Sequence, residues 1–230
     1  NTPSGRKEVL EKLFKSDFMI QDLKDRISTR KGELNEELRK VQDSKLVALQ
    51  YLESAIAGGR ASPDMAAALD SLAGEGIYNE SRTDGRMANN YPDIRKKACD
   101  LLGEIHTEES KNSLMKVTLA DNEPMVATAA IRSLGLIGLN QQDDVIDSIA
   151  WTHKKFATLN PTSSLAWEVL IAFENLESTV EEKAPMIQTI SQIAVNNMYV
   201  TPVRTKALDL LKKMTGRGTN TSNGNDVNAK

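Results

Sequence analysis

The stretch PDIRKKACDLL at residues 92–102 carries the pattern that decides the fold of this chain. A proline opens it, an Ile-Arg pair follows, and Ala98 precedes a Leu-Leu pair by three residues. The pattern returns as PVRTKALDLL at residues 202–211 and more loosely as PMVATAAIRSLG at residues 124–135. Repeats at intervals of roughly 30 to 50 residues are typical of stacked helical arrays, which usually bind other macromolecules.

The composition favours closely packed helices. Hydrophobic residues make up 40% of the 230 residues and aromatic residues only 4%, so aliphatic side chains and alanine must build the core. Runs of alternating β-branched residues, which would indicate strands, are nearly absent. We therefore predict an all-α fold.

Charge and cysteine content narrow the classes of function. A formal net charge of −3 makes the chain a poor candidate for binding nucleic acid, because such binding depends on Lys and Arg neutralising phosphates. The sequence contains no stretch of 18 or more apolar residues, so it predicts no membrane span. The single cysteine, Cys99, excludes an intramolecular disulfide framework. Because the chain starts at Asn1 rather than Met, we slightly favour a mature extracytoplasmic (periplasmic or secreted) protein over a cytoplasmic one.

Four regions are predicted along the chain. Residues 1–75 form an N-terminal helical region with a degenerate repeat, in which we expect a cap at Ser16-Asp17, a break at Gly32 and a stop at Gly58-Gly59. Residues 76–91 form an irregular loop, and residues 216–230 form a disordered polar tail. Between them lies the repeat array, residues 92–215. Its helices are predicted near residues 92–105, 108–121, 124–138, 141–158, 162–177, 181–198 and 202–214.

The repeated unit resembles a known family. A first helix with the pattern Pro-x-Val/Ile-Arg-x-x-Ala-x-x-x-Leu-Gly, a short turn and a second amphipathic helix are similar to the HEAT repeat; two helices per unit favour HEAT over armadillo. The resemblance covers residues 92–214 and, more weakly, 43–75. It implies a right-handed α-α superhelix of antiparallel helix pairs, with the second helices on its concave surface.

The resemblance also assigns positions within the unit. It implies that the repeat arginine, here Arg95 or Arg204, pairs with an aspartate such as Asp93 or Asp121, and a solvated arginine is the alternative. In the third copy, Trp167 takes the place of the small residue that Ala98 and Ala130 supply, and Ser164 takes the place of the arginine.

Catalytic and metal-binding motifs are not found in the sequence. His106 and His153 cannot by themselves make a closed zinc site, and Cys99 is expected in the core. Nucleotide-binding, nucleophile-elbow and His-Glu-x-x-His motifs are missing. We therefore predict a non-enzymatic protein with no cofactor. A HEAT-type enzyme, lyase-like in class, or a nucleic-acid-binding solenoid is the alternative.

The surface most suited to binding is predicted on the second helices. In the helix near residues 141–158, Val145, Ile149, Thr152 and Phe156 form one stripe, whereas Trp151 lies off it. Tryptophan is enriched at interface hot spots, although Trp151 could instead pack against the next repeat. We expect an unidentified protein or peptide partner to contact the outward residues Lys111, Met115, Lys116, Asp147, Trp151, Lys154, Lys155, Gln188 and Gln192.

Overall fold

The computed structural model describes residues 3–83 and 85–216, and helices account for most of them. The helices are α1 (Pro3–Ala57), α2 (Pro63–Ala73), α3 (Pro92–Gly103), α4 (Glu108–Ala120), α5 (Pro124–Ile137), α6 (Asp144–Leu159), α7 (Ser163–Leu176), α8 (Ala184–Val195) and α9 (Thr201–Met214). A 3-10 turn, Glu177–Thr179, follows α7 directly. The predicted all-α class is confirmed. Beyond Gly216, the predicted polar tail lies outside the described residues.

The chain divides into two compact units, residues 1–48 and residues 49–230. The first unit consists of the N-terminal part of α1. The prediction of breaks at Ser16-Asp17 and Gly32 is wrong, because α1 runs without interruption from Pro3 to Ala57. One glycine costs a helix only about 1 kcal/mol, and the residues around Gly32 are mostly good helix formers. The helix ends as predicted near Gly58-Gly59, where Gly59 has a φ of +70°.

Local signals account for most helix starts in the second unit. The Ser62 hydroxyl accepts the Met65 N–H at 3.3 Å, and Pro63 is the first residue of α2. Thr107 caps α4 in the same way through Ser110 N–H at 3.2 Å. These side chains satisfy amide groups that have no partner within the helix.

The α5–α6 connection differs from the prediction. Gln142 and Asp143 both have a positive φ, so α6 begins at Asp144 rather than near residue 141. The Asp143 carboxylate accepts the backbone N–H groups of Glu181 and Glu182 at 3.0 and 2.7 Å. These bonds lower the pKa of Asp143 and stabilise the left-handed turn.

The helices of the second unit pack in two layers. In the first layer α3, α5, α7 and α9 follow one another, and in the second layer α2, α4, α6 and α8 do so. Glycine allows two close crossings in the first layer. A Cβ atom at Gly103 would lie 2.7 Å from Ser133 Cβ, and one at Gly135 would lie 2.7 Å from Ala172 Cα. The packing residues Ala98 and Ala130 are fully buried.

The segment predicted as the third copy of the repeat differs from the prediction in which residue it buries. Trp167 is 39% exposed, so it cannot occupy the buried position of Ala98 and Ala130, and that assignment is wrong. Val169 is fully buried instead, one helical turn after buried Ala166. The pattern of burial along α7 thus gives Val169, rather than Trp167, the buried position that Ala98 has in α3 and Ala130 has in α5.

A buried ion pair joins α3 to the end of α4. Arg95 Nε donates to Asp121 Oδ2 at 2.7 Å, and both side chains are almost fully buried. Arg95 Nη1 also donates to Asn90 Oδ1 at 2.8 Å and to the Glu75 carbonyl at 3.3 Å. The pairing that the HEAT resemblance implied is therefore present for Arg95. Arg204 instead contacts the Thr201 hydroxyl at 3.4 Å.

Arg95 thereby holds both ends of the segment predicted as an irregular loop. Between these ends lies a two-stranded antiparallel hairpin, β1 (Arg82–Thr83) and β2 (Arg86–Met87). Gly85, with a φ of +76°, lies in its two-residue turn, where a left-handed residue is usual. Tyr78 Oη donates to the Lys116 carbonyl and connects this segment to α4.

Candidate partner-binding face

The outward side of α4, α6 and α8 forms what we call the second-layer face. Its exposed residues recur every three or four positions, which places them on one side of each helix. The exposed members are Asn112, Lys116 and Leu119 of α4, Asp147, Trp151 and Lys154 of α6, and Gln188, Gln192 and Val195 of α8.

Trp151 is the largest exposed side chain of this face. It is 51% exposed, whereas Ile149 and Thr152 on the other side of α6 are fully buried, as the stripe in the sequence predicted. The ammonium group of Lys155 lies 5.7 Å from the ring centroid of Trp151. Half of the indole surface therefore remains available for contact with another molecule.

Lys155 lies at this face, but its ammonium group is already engaged. It donates to the Asp121 carbonyl at 2.9 Å and lies 3.5 Å from the Leu119 carbonyl, at the C-terminus of α4. Cations are favoured at that end of a helix. Burial lowers the pKa of Lys155. This lysine therefore connects α6 to α4, and its ammonium group contacts the Trp151 ring.

The prediction that Lys111 faces outward is wrong. Its side chain is buried, and the ammonium group pairs with Glu108 at 2.9 Å and with Asp144 at 2.8 Å. Lys111 precedes Leu114 by three residues and therefore lies on the core side of α4. Burial lowers its pKa, but the hydrogen bonds that the ammonium group donates to the Asp144 and Glu108 carboxylates more than offset this, so the pKa is raised.

The other predicted residues remain at the face. Met115 is half-buried against the core, whereas Lys116, Asp147, Lys154, Gln188 and Gln192 are exposed. Across the described part of the chain, the ammonium groups of Lys116 and Lys154 form no ion pair. Two exposed apolar residues, Leu119 and Val195, were not among the predicted site residues. Each lies three residues after a predicted member, which is the signal that could have found them.

Most lysine and arginine side chains of the first layer are paired with carboxylates, in contrast to those of the second-layer face. Asp100 pairs with Lys96 at 3.0 Å and with Arg132 at 2.6 Å, and Arg132 reaches Glu168 at 3.4 Å. These contacts cross α3, α5 and α7. Further pairs, Lys206–Glu174 and Lys213–Glu177, continue from α7 to α9.

The two histidines lie in different surroundings, and His106 is exposed. His153 is buried with Nε2 3.1 Å from Tyr199 Oη, and burial lowers its pKa to about 4. Cys99 is also buried, and burial raises the pKa of its thiol. In the residues that the structure describes, no group of three His, Cys, Asp or Glu side chains is arranged to hold a metal ion.

Comparison of the chain with protein-family models, with curated proteins and with solved structures gave no significant match. None of the helices within the described ranges combines the length and the apolar character that crossing a membrane requires.

Proposed function

We propose that this chain is a non-enzymatic HEAT-like scaffold that binds a protein or peptide partner on its second-layer face. The proposal includes a right-handed superhelix whose concave surface carries α4, α6 and α8. Supporting observations are the two layers of helices, the close crossings at Gly103 and Gly135 and the buried Arg95–Asp121 pair. The two crossings join helices of neighbouring pairs, as expected where stability comes from stacking of repeats, and the ion pair joins the two helices of one pair.

The observation that carries the proposal is the half-exposed Trp151 close to two lysines that have no ion-pair partner among the described residues. On the first layer, carboxylates neutralise most cations, so little charge is left for a partner. On the second-layer face, Lys116 and Lys154 form no ion pair with any residue that the structure describes, and tryptophan is enriched at binding hot spots. This asymmetry between the layers favours the second-layer face as the binding surface.

Capture of partners from an extract of the native host tests the proposal. The immobilised chain is compared with a Trp151→Ala, Lys154→Glu variant, and captured proteins are identified by mass spectrometry. Loss of a hot-spot tryptophan costs about 2 kcal/mol or more, so we expect affinity for the partner to fall about thirtyfold.

Trp167→Ala is the matched control, because Trp167 is a partly exposed tryptophan of the first layer. It should leave capture intact. Helical circular dichroism must be the same in all three proteins. Equal capture by the chain and by the Trp151 variant would contradict the choice of this face.

A nucleic-acid ligand is the second candidate, because cations beside an exposed aromatic ring also suit single-stranded nucleic acid. The net charge of −3 weighs against it. A salt-sensitive shift of DNA at micromolar concentrations of the chain would support this alternative. Absence of binding at low salt would exclude it.

A further inference from the structure

Three exposed apolar side chains lie in a row across the second-layer face. Leu119 of α4, Trp151 of α6 and Val195 of α8 are 41%, 51% and 80% exposed. We call them the apolar row. Each lies on the outward side of its helix, and α6 packs between α4 and α8. An apolar surface that extends over neighbouring elements is a feature of interaction sites.

Hydrogen bonds place the C-terminal ends of α4 and α8 beside the part of α6 that carries Trp151. Lys155, one turn after Trp151, donates to the Asp121 carbonyl at the end of α4, two residues beyond Leu119. On the other side of α6, His153 lies 3.1 Å from Tyr199 Oη, four residues beyond Val195. The C-terminal ends of α4 and α8 therefore lie on the two sides of Trp151.

The charges around the row are mainly positive. Lys116 is one turn from Leu119 and Lys154 is one turn from Trp151, and neither has an ion pair within the described ranges. Lys155 adds a third positive charge, while Asp147 is the acidic residue on the same side of α6. A partner with carboxylates beside its apolar residues would complement this surface.

The conformation of the partner follows from backbone hydrogen bonding. The N–H and C=O groups of α4, α6 and α8 are used within the helices, so they offer no edge to an extended strand. A helical partner satisfies its own backbone. Packed helices are about 8–10 Å apart, and seven residues of an α-helix rise about 10.5 Å. Apolar residues at positions i, i+7 and i+14 therefore match the row.

We infer that the apolar row, with Lys116 and Lys154, is a docking surface for an acidic amphipathic helix with apolar residues at seven-residue intervals. This inference rests on the proposed function and specifies the chemistry of the partner. The helix crosses α4, α6 and α8 over Trp151. Its carboxylates pair with the two lysines.

A synthetic peptide tests this directly. The probe is an 18-residue capped peptide with Leu at positions 2, 9 and 16, Glu beside each Leu, and Ala or Gln elsewhere. The protein is the full chain with Trp167→Phe. The sequence has two tryptophans, so this variant retains only Trp151 as the fluorophore. Saturable change in tryptophan emission is expected, and Leu119→Asp or Val195→Asp should each weaken binding at least tenfold. Leu136→Asp, at an exposed leucine of the first layer, is the matched control and should have no effect.

Charge reversal gives a second readout. The double change Lys116→Glu and Lys154→Glu should lower the affinity for the Glu peptide at least tenfold. The same variant should prefer a peptide that has Lys in place of Glu. Equal binding of a sequence-scrambled peptide, or no effect of Leu119→Asp and Val195→Asp, would overturn the inference. Self-association of the chain that Val195→Asp abolishes would also overturn it, since the row would then be a contact between copies. If host proteins are captured through Trp151 but the peptide does not bind, the inference fails while the proposed function stands.

Discussion

Removal of Asp121 should destabilise the second unit more than any exposed charge change. The Asp121 carboxylate receives two bonds from Arg95, at 2.7 and 3.3 Å, and also accepts the Glu123 N–H at 2.9 Å. In Asp121→Ala the Arg95 guanidinium stays buried with only two neutral acceptors, Asn90 and the Glu75 carbonyl. A buried charge that has lost its partner is not rehydrated unless the structure opens.

The magnitude follows from this geometry. Breaking a buried ion pair by removing one partner costs about 3–5 kcal/mol. We therefore expect Asp121→Ala to lower the free energy of unfolding by about 4 kcal/mol, against a usual total of about 5–15 kcal/mol for a domain. Arg95→Met combined with Asp121→Ala should cost less than the sum of the single changes by about 2 kcal/mol or more, because no charge is left unpaired.

Urea denaturation followed by circular dichroism at 222 nm measures the effect, provided that the m-value stays constant. Asp209→Ala is the matched control, because its pair with Lys212 is solvent-exposed and should contribute below about 0.5 kcal/mol. A cost below about 1 kcal/mol for Asp121→Ala, or additive single and double changes, would refute the reasoning.

Two further predictions concern pH and packing. The folded-state pKa of His153, about 4, lies below the ordinary 6.5, so the unfolded chain binds the proton first and stability is lost as the pH falls from 6.5 to 4. The resulting loss of unfolding free energy is about 2 kcal/mol at pH 5. Urea titrations at pH 7 and pH 5 measure this loss, which should disappear in His153→Gln and persist in His106→Gln. Gly135→Ala should cost about 1–3 kcal/mol, because its Cβ would lie 2.7 Å from Ala172 Cα. Gly32→Ala, in open space within α1, should instead stabilise by about 0.5–1 kcal/mol in thermal unfolding, and the opposite order would contradict the packing.

The starts of α2 and α4 were predictable because their signals are local. Ser62-Pro63 and Thr107 satisfy amide groups within a few residues, so the sequence contains both the donor and its acceptor. The buried stripe of α6 was equally predictable from the sequence, since helical periodicity places Ile149 and Trp151 on different sides of the helix. The continuity of α1 could not be predicted in this way. A glycine usually indicates a helix break, but here the flanking helix-forming residues outweigh the cost of Gly32 within the helix.

Contacts between distant residues explain the other differences. Lys111 is buried because Asp144, 33 residues later in the chain, meets it at the start of α6. The three-residue spacing from Lys111 to Leu114 indicates the core side of α4, but lysine is rarely buried and the pairing with Asp144 cannot be read from the local sequence. The predicted register of α7 was wrong because Trp167 fits the spacing of the predicted repeat, whereas Val169 is the residue that is buried in the core.

Site-specific photo-crosslinking in the native host tests the central claim most directly. A benzophenone amino acid is placed at position 151 and, as the matched control, at position 167 of the first layer. If the second-layer face holds the partner, position 151 gives a discrete protein adduct that Lys154→Glu diminishes, and position 167 gives none. Adducts at position 167 alone, or equal adducts at both positions, would contradict the account.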